Sequence, residues 1–565
     1  MLPFRSSAAL ALLAVVVTVT QAPRETRAAG EENPAAAMQT TAVLSITSYD
    51  NLHDDLGYLF QAAGQPQLMQ MVDGLVVQMT MGKGLVGLDT SRPLGAVFQS
   101  DGQQVVPLVY LPISDAPALL ELLKAVFPDQ QRLEEGLYQL TGPVQVFLRL
   151  EGGFGFAALS RDHLAGTLPD PAEFISQSAK QYDLALTVNL ENLPEVYRQM
   201  LLMQVQASVE KAAVRNDNES DAQFRGRQLS AKLTATIATR LIEQGREVAL
   251  GFRLSEKDKN LVVELAMEAQ PDSELANDLQ PLSNVSSRFA SLIEPNALMT
   301  FAMTCDLSDT LHETLQPLLV EAQTETLAKL AVSERLKTEA DRQKASEIAT
   351  RLFGVALATV DARQLDSVVT MRQSADGTIT VVGTGHFAQP EQIDVAFQDA
   401  VALAIKNKNP HIDNISLNVA THKGLAIHAL EPKVVDEETK RILGEQPRLH
   451  LAFGNHATFF AVGQDSLASI ERAIDSADAP AGDEYRGTPL MVQMAIAPWI
   501  ELAAKTAPAD RYLDLARESF STDDRLRFAL EGMPNGLRLR LELQEGFIRF
   551  MGKSAALGIQ QGLGQ

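Results

Sequence analysis

Cysteine is almost missing from this chain: among 565 residues there is only Cys305, so no disulfide can close within the chain and no cysteine-rich metal site exists. Aromatic residues are also scarce, at 5% with a single tryptophan, Trp499, which leaves no run of stacking platforms for sugars or single-stranded nucleic acid. Positive charge is in deficit. Lys and Arg number 48 against 71 Asp and Glu, a formal charge of −23, and a surface this acidic repels phosphate backbones. No nucleic-acid partner is expected. Beyond the N-terminus no apolar run approaches the roughly 18 residues that a membrane helix requires. What is present is the composition of a folded protein, 45% hydrophobic and 21% charged. At about 150 residues per domain the length predicts three or four domains.

The N-terminus carries an address. Arg5 precedes an apolar stretch at 8–19 (AALALLAVVVTV), too short to span a bilayer comfortably and suited to a secretory signal peptide. Thr26-Arg27-Ala28 offers small residues for a cut after Ala28, with Ala29 as the alternative; an uncleaved N-terminal anchor is the rival reading. No cysteine follows the apolar run, which excludes a bacterial lipoprotein of the usual kind. Loss of residues 1–28 removes three arginines and one glutamate, so the formal charge becomes −25. Residues 29–39 then read as a flexible leader. The expectation is an exported protein, periplasmic or extracellular, with no integral membrane span once the signal is cleaved.

The rest of the chain repeats itself. An alternating apolar strand, a polar break and a helix recur at 42–60, 183–201, 297–315 and 489–504. The breaks hold helix-start residues: Asp50 and Asn51, Asn192 before Leu193-Pro194, and Ser308. Hairpins follow at 96–111 around Asp101-Gly102, at 247–268 around a charged turn, at 367–385 around Ala375-Asp376-Gly377, and at 525–543 around Pro534-Asn535-Gly536. Helices are expected after two of these, at 116–126 and 391–404. A second unit, strand–strand–helix, occurs at 144–168 and 450–474.

The order A, B, A is thus written twice, as a tandem duplication would leave it. The expected division is a first α+β half at 40–280, a linker at 281–295 and a second α+β half at 296–565. The stretches 195–244 and 308–359 are each about fifty residues of helical composition, long enough for roughly 75 Å if unbroken. The polar run at 216–221 is a poor helix former and would split the first into two helices with a loop. The fold class expected is α+β, with antiparallel sheets covered on one face by helices and two long helices near the middle of the chain.

The phrases at 105–123 (VVPLVYLPISDAPALLELL) and 459–474 resemble a family of secreted bacterial proteins of unknown function built from strand–helix–hairpin repeats. The resemblance implies an envelope or extracellular protein and carries no catalytic residue across.

Candidate chemistry is thin. Gly82-Lys83-Gly84-Leu85-Val86-Gly87 fits G-x-G-x-x-G after an expected apolar strand at 75–81, but loop text follows where a dinucleotide site needs a helix. A plain glycine turn is expected. His422 and His428, like His450 and His456, stand six apart, about 20 Å along a strand and too far for one ion unless the chain turns at Gly424 and Gly454. His312 lacks a second histidine at the zincin spacing, because Gln316 stands there. The acidic run at 217–221 lacks the glycine and the final glutamate of a calcium loop, since Ala222 and Gln228 occupy those positions. The acidic neighbours Asp54-Asp55, Glu134-Glu135, Glu437-Glu438 and Asp523-Asp524 diverge on any regular element. Cys305 sits in strand text and reads as a small buried hydrophobe. Met69, Met71, Met79, Met81, Met200 and Met203 are expected to fill core, and the alternative is a pocket lining for varied apolar ligands.

No catalytic, cofactor or metal residue is therefore assigned. The leading expectation is an exported non-enzymatic binding or scaffold protein of the cell envelope whose partner is an unknown protein. The alternatives are a carrier of an apolar small molecule between the two halves, and a hydrolase without a recognisable motif.

Overall fold

The structure is a computed structural model that describes residues 38–102, 104–171, 181–216, 219, 221–374, 376–407, 412–432, 435–454, 456–477, 485–506 and 510–562. The signal peptide and most of the leader expected from the sequence lie outside the described residues. The chain is α+β and divides into two compact units, one running to Gln270 and resuming at Ile548, the other from Pro271 to Phe547. None of the helices among the described residues is long and apolar enough to cross a membrane.

The first unit holds β1 (Gln39–Ile46), β2 (Leu94–Ser100), β3 (Val105–Pro112), β4 (Asp129–Glu134), β5 (Leu137–Thr141), β6 (Gln145–Glu151), β7 (Phe154–Ala158), β8 (Leu184–Asn189), β9 (Gly245–Ser255) and β10 (Asn260–Ala269). Its strands are ordered 10-9-8-1-2-3-7-6-5-4 and every pairing is antiparallel. Helices α1 (Tyr49–Ala62) and α2 (Gln67–Met79) follow β1, α3 (Ala116–Leu123) follows β3, and α4 (Glu195–Ala213) and α5 (Asp221–Gln244) follow β8. The core is Val97, Leu108, Tyr110 and Phe156 on one sheet face.

The second unit begins with α6 (Glu274–Leu279). It holds β11 (Met299–Asp306), β12 (Gln364–Gln373), β13 (Ile379–His386), β14 (Ile412–His422), β15 (Leu425–Pro432), β16 (Arg448–Gly454), β17 (Ala457–Gly463), β18 (Leu490–Ala495), β19 (Arg525–Met533) and β20 (Gly536–Gln544). The order is 20-19-18-11-12-13-17-16-15-14, again antiparallel throughout, so each strand sits where its counterpart ten numbers earlier sits in the first unit. Helices α7 (Asp309–Ala331) and α8 (Glu339–Asp361) follow β11, α9 (Pro390–Lys406) follows β13, and α10 (Glu437–Leu443) follows β15. Then α11 (Ser466–Ser476) follows β17, while α12 (Ile496–Thr506) and α13 (Arg511–Ser519) follow β18. Ile470, Ala473 and Ile474 of α11 bury against Val382, Ala452, Phe459 and Ala461 of the sheet. The chain closes with α14 (Glu545–Gly562).

Local chemistry explains most element ends. Ser48 caps α1, taking the Asn51 N–H at 3.0 Å, so the helix starts one to two residues before the expected Asp50 and Asn51. Ser308 caps α7 through Leu311, and Asp115 caps α3 through Ala118. The four expected hairpins form; Gly102, Gly377 and Asn535 adopt positive φ at three of their turns, and Ala375 lies outside the described residues.

Three readings need correction. The expected strand at 75–81 is the end of α2, because Gln67, Gln70 and Asp73 extend a helical period that a short apolar window hides, and the Thr80 hydroxyl closes the last turn on the Val76 carbonyl at 2.7 Å. The stretch 308–359 is not one rod. It folds back as α7 and α8, with Thr338 capping α8 through Asp341 and Arg342 holding the Leu336 carbonyl at 2.9 Å in the turn. The 195–244 stretch does the same at the polar run. The strand–strand–helix unit also carries an additional hairpin, β4–β5 in one unit and β14–β15 in the other; β4 (DQQRLE) is polar text without apolar alternation.

Candidate functional site

Each unit carries an unusual surface of its own. On β8, β9 and β10 the cross-strand rows Leu184–Phe252–Val263, Leu186–Leu250–Leu265 and Val188–Val248–Met267 lie on one face, a three-by-three grid with no hydrogen-bonding side chain. On β18, β19 and β20 the corresponding rows are Leu490–Leu530–Leu539, Val492–Phe528–Leu541 and Met494–Leu526–Leu543. A half-solvated antiparallel sheet normally turns such a face to the core and its charged face to water. Here the apolar face is left without full cover. All eighteen grid side chains are at least partly exposed, Leu186 at 37% and Leu265 at 43%.

The buried positions of these strands lie mainly on the opposite, charge-bearing face. In the first unit they include Ala185, Val262 and Glu264, and in the second Met491, Ala495 and Ala529, while Ala269 and Leu537, at the ends of β10 and β20, are buried on the grid face. The first unit shows the cause. Gly251 has no side chain, and the Tyr182 ring lies directly over it, where a Cβ would come within 2.4 Å; the Tyr182 hydroxyl then donates to Glu264 at 2.6 Å. Alternation in the sequence marks both faces, but it cannot say which one a neighbour covers.

The residues singled out from sequence fall elsewhere. Gly82, Gly84 and Gly87 adopt positive φ in a turn after a helix, and a Cβ on Gly87 would lie 2.2 Å from the Leu119 backbone nitrogen, so the glycines serve the chain path. His422 and His428 lie on either side of the β14–β15 turn, and His450 and His456 are separated by the end of β16. His422 pairs with Asp475 at 2.9 Å beside Lys423. His428 is buried against Phe397 and Phe453, with Nε2 3.2 Å from Asp394. His450 Nδ1 and Ser466 Oγ are 2.9 Å apart, but at 4% and 1% exposure no substrate reaches them; burial and the Arg448 charge press the His450 pKa down. His312 pairs with Asp361 at 3.0 Å. Among the described residues no three of His, Cys, Asp and Glu are placed to hold a metal ion.

Of the acidic run, Asp217, Asn218 and Ser220 lie outside the described residues. Glu219 clasps Arg227 in a two-point ion pair and accepts the Asn216 N–H, which pulls its carboxyl down to about 2. Burial, aided by Asp306, pushes the Cys305 thiol up to about 11, far from a reactive thiolate. Met71, Met81, Met200 and Met203 are exposed rather than core filling. The pair missed altogether is Asp55 with Asp183, far apart in sequence yet brought close enough for the charge of Asp183 to raise Asp55.

Fold and surface together define an α+β protein whose two units each hold ten antiparallel strands in like order and an aliphatic grid on three of them. No protein-family model, no curated protein and no solved structure matches the chain.

Proposed function

We propose that the chain is an exported, non-enzymatic binding protein of the cell envelope whose working surfaces are the two aliphatic grids, and that the halves arose by tandem duplication. The single observation behind this reading is the pair of aliphatic grids on β8–β10 and β18–β20, none of whose eighteen side chains is buried. Keeping such a face in water is costly, and contiguous apolar surface of this kind is characteristic of interaction sites. The matching strand orders support the duplication, and the N-terminal apolar stretch supports export. A scaffold for another protein and a carrier of an apolar small molecule both use a surface of this chemistry. The complete absence of donors and acceptors among the grid side chains favours the carrier, because specific protein interfaces place about one hydrogen bond in every 100–200 Å².

Native mass spectrometry on protein purified from an exporting host, before and after denaturation and organic extraction, tests this. A reproducible apolar small molecule identifies a carrier, and a polypeptide identifies a scaffold. Either species should disappear when Leu186→Glu and Leu265→Glu are combined with Val492→Glu and Leu541→Glu. A bare chain, or a bound species indifferent to these changes, removes the reading.

A further inference from the structure

The α4–α5 hairpin carries a groove along its seam. Leu201, Val205 and Ser208 of α4 line one wall and Thr234, Ala238 and Ile242 of α5 the other, around an open, mostly apolar volume of about 300 Å³. Ala238 has too little side chain to close the gap between the helices. The far end of the hairpin is fixed, because Glu219 clasps Arg227 and Arg227 donates to the Ala212 carbonyl at 2.8 Å. The groove is therefore held open by a fastened turn and does not depend on a ligand to form.

Its dimensions select an occupant. The stretches Leu201 to Ser208 and Thr234 to Ile242 each rise about 11–12 Å, so the cross-section of the groove is roughly 25 Å². A helix about 10 Å across needs on the order of 80 Å². An extended strand, about 4.8 by 10 Å in its sheet spacings, needs about 50 Å². A single file of methylenes, whose carbons meet their neighbours at about 4–4.5 Å, needs only about 20 Å².

Charge sets the head group. Arg198 stands one turn before Leu201 on the same stripe of α4, at the base of the groove. It donates to the Leu190 carbonyl at 3.2 Å, its Nε is buried without a hydrogen-bond partner, and among the described residues no carboxylate pairs with it. In a chain of formal charge −23, such an arginine at the end of an apolar groove is the complement of an anionic head group. At the opposite end the Ser208 hydroxyl is taken by the Val205 carbonyl at 2.6 Å, so the polar end of the occupant belongs at the base.

We propose that the α4–α5 groove binds one medium-chain fatty acid, with its carboxylate on Arg198 and its alkyl chain along the seam. The rise from Arg198 to Ser208 is about 15 Å, which at an advance of about 1.3 Å per carbon corresponds to about twelve carbons. The site is separate from the grids and holds whether or not they bind a ligand.

The test is isothermal titration of the full chain with dodecanoate and with dodecanol, with far-UV circular dichroism and thermal unfolding of each variant as controls. Dodecanoate is expected to bind at least about tenfold more tightly than dodecanol, and Arg198→Gln should erase that preference. Shortening the acid from twelve to eight carbons should weaken binding about two- to fourfold per methylene, and lengthening it beyond fourteen should gain nothing further. Ala238→Trp and Ser208→Phe fill the groove from opposite walls and should each weaken dodecanoate binding at least about tenfold. The hairpin should stay folded in both, since neither position is buried. Absence of dodecanoate binding, equal affinity for acid and alcohol in the wild type, or an affinity indifferent to both groove-filling changes would overturn the proposal.

Discussion

Asp55 of α1 and Asp183, one residue before β8, bring their carboxyls together. Burial, followed by the charge of Asp183, raises Asp55 to about 7. Asp183 also sits above the ordinary range through burial, although the Leu254 N–H at 2.7 Å favours its charged form. The pair ties the first helix to the end of the β8–β9 pair.

The pair makes stability depend on pH with a definite sign. A carboxyl raised on folding binds more protons in the native than in the unfolded chain between about pH 4 and 7, so stability falls across that window and levels off above it. Asp55→Asn removes the titration. Urea unfolding at pH 5 and pH 8 should therefore show the wild-type difference shrink by on the order of 1–2 kcal/mol, allowing for solvent screening of a half-exposed pair. An unchanged difference would mean that Asp55 does not carry this pH dependence.

The glycines of the 82–87 turn should separate by environment. Gly87→Ala combines φ +89° with a Cβ 2.2 Å from the Leu119 nitrogen and should cost more than about 2 kcal/mol. Gly82→Ala and Gly84→Ala meet open space and pay only for positive φ, about 1 kcal/mol each. Thermal unfolding of the three variants checks the ranking, which a phosphate-cradling loop would have no reason to follow.

Ser466→Ala should destabilise the second unit by about 1–3 kcal/mol by leaving His450 Nδ1 buried without its hydroxyl partner. Denaturant titration measures this. Loss of a hydrolytic activity with no loss of stability would instead assign the pair to catalysis.

Opposite faces of the β8–β10 strands should answer differently to truncation. Val262→Ala, on the covered face, should cost about 2 kcal/mol, whereas Leu186→Ala, on the open grid, should cost less than about 1 kcal/mol. Equal costs in the isolated chain would show that the grid is packed in solution and is not a docking surface.

Much of the architecture was legible before the structure. Alternation and turn chemistry located the hairpins at Asp101-Gly102 and Asn535-Gly536, and Ser308 announced α7. These signals are local: a cap or a primed turn is decided by residues within three or four positions of each other. The misread segment at 75–81 failed for the same reason, since seven residues rich in Leu and Val satisfy strand and helix alike, and α2 declares itself only over thirteen residues.

The candidate surfaces were not legible. The sequence by itself determined the alternation of the β9–β10 hairpin, the acidic balance, the near-absence of cysteine and the helical text of 195–244. Tertiary structure alone decided that Tyr182 lies on Gly251 and so covers the charge-bearing face, that Leu186 and Leu265 are left toward water, and that Asp55 meets Asp183. A period of two tells a strand's faces apart without ranking them. Which face is buried depends on what the rest of the chain brings to it, and that is set by contacts between residues tens to hundreds of positions apart.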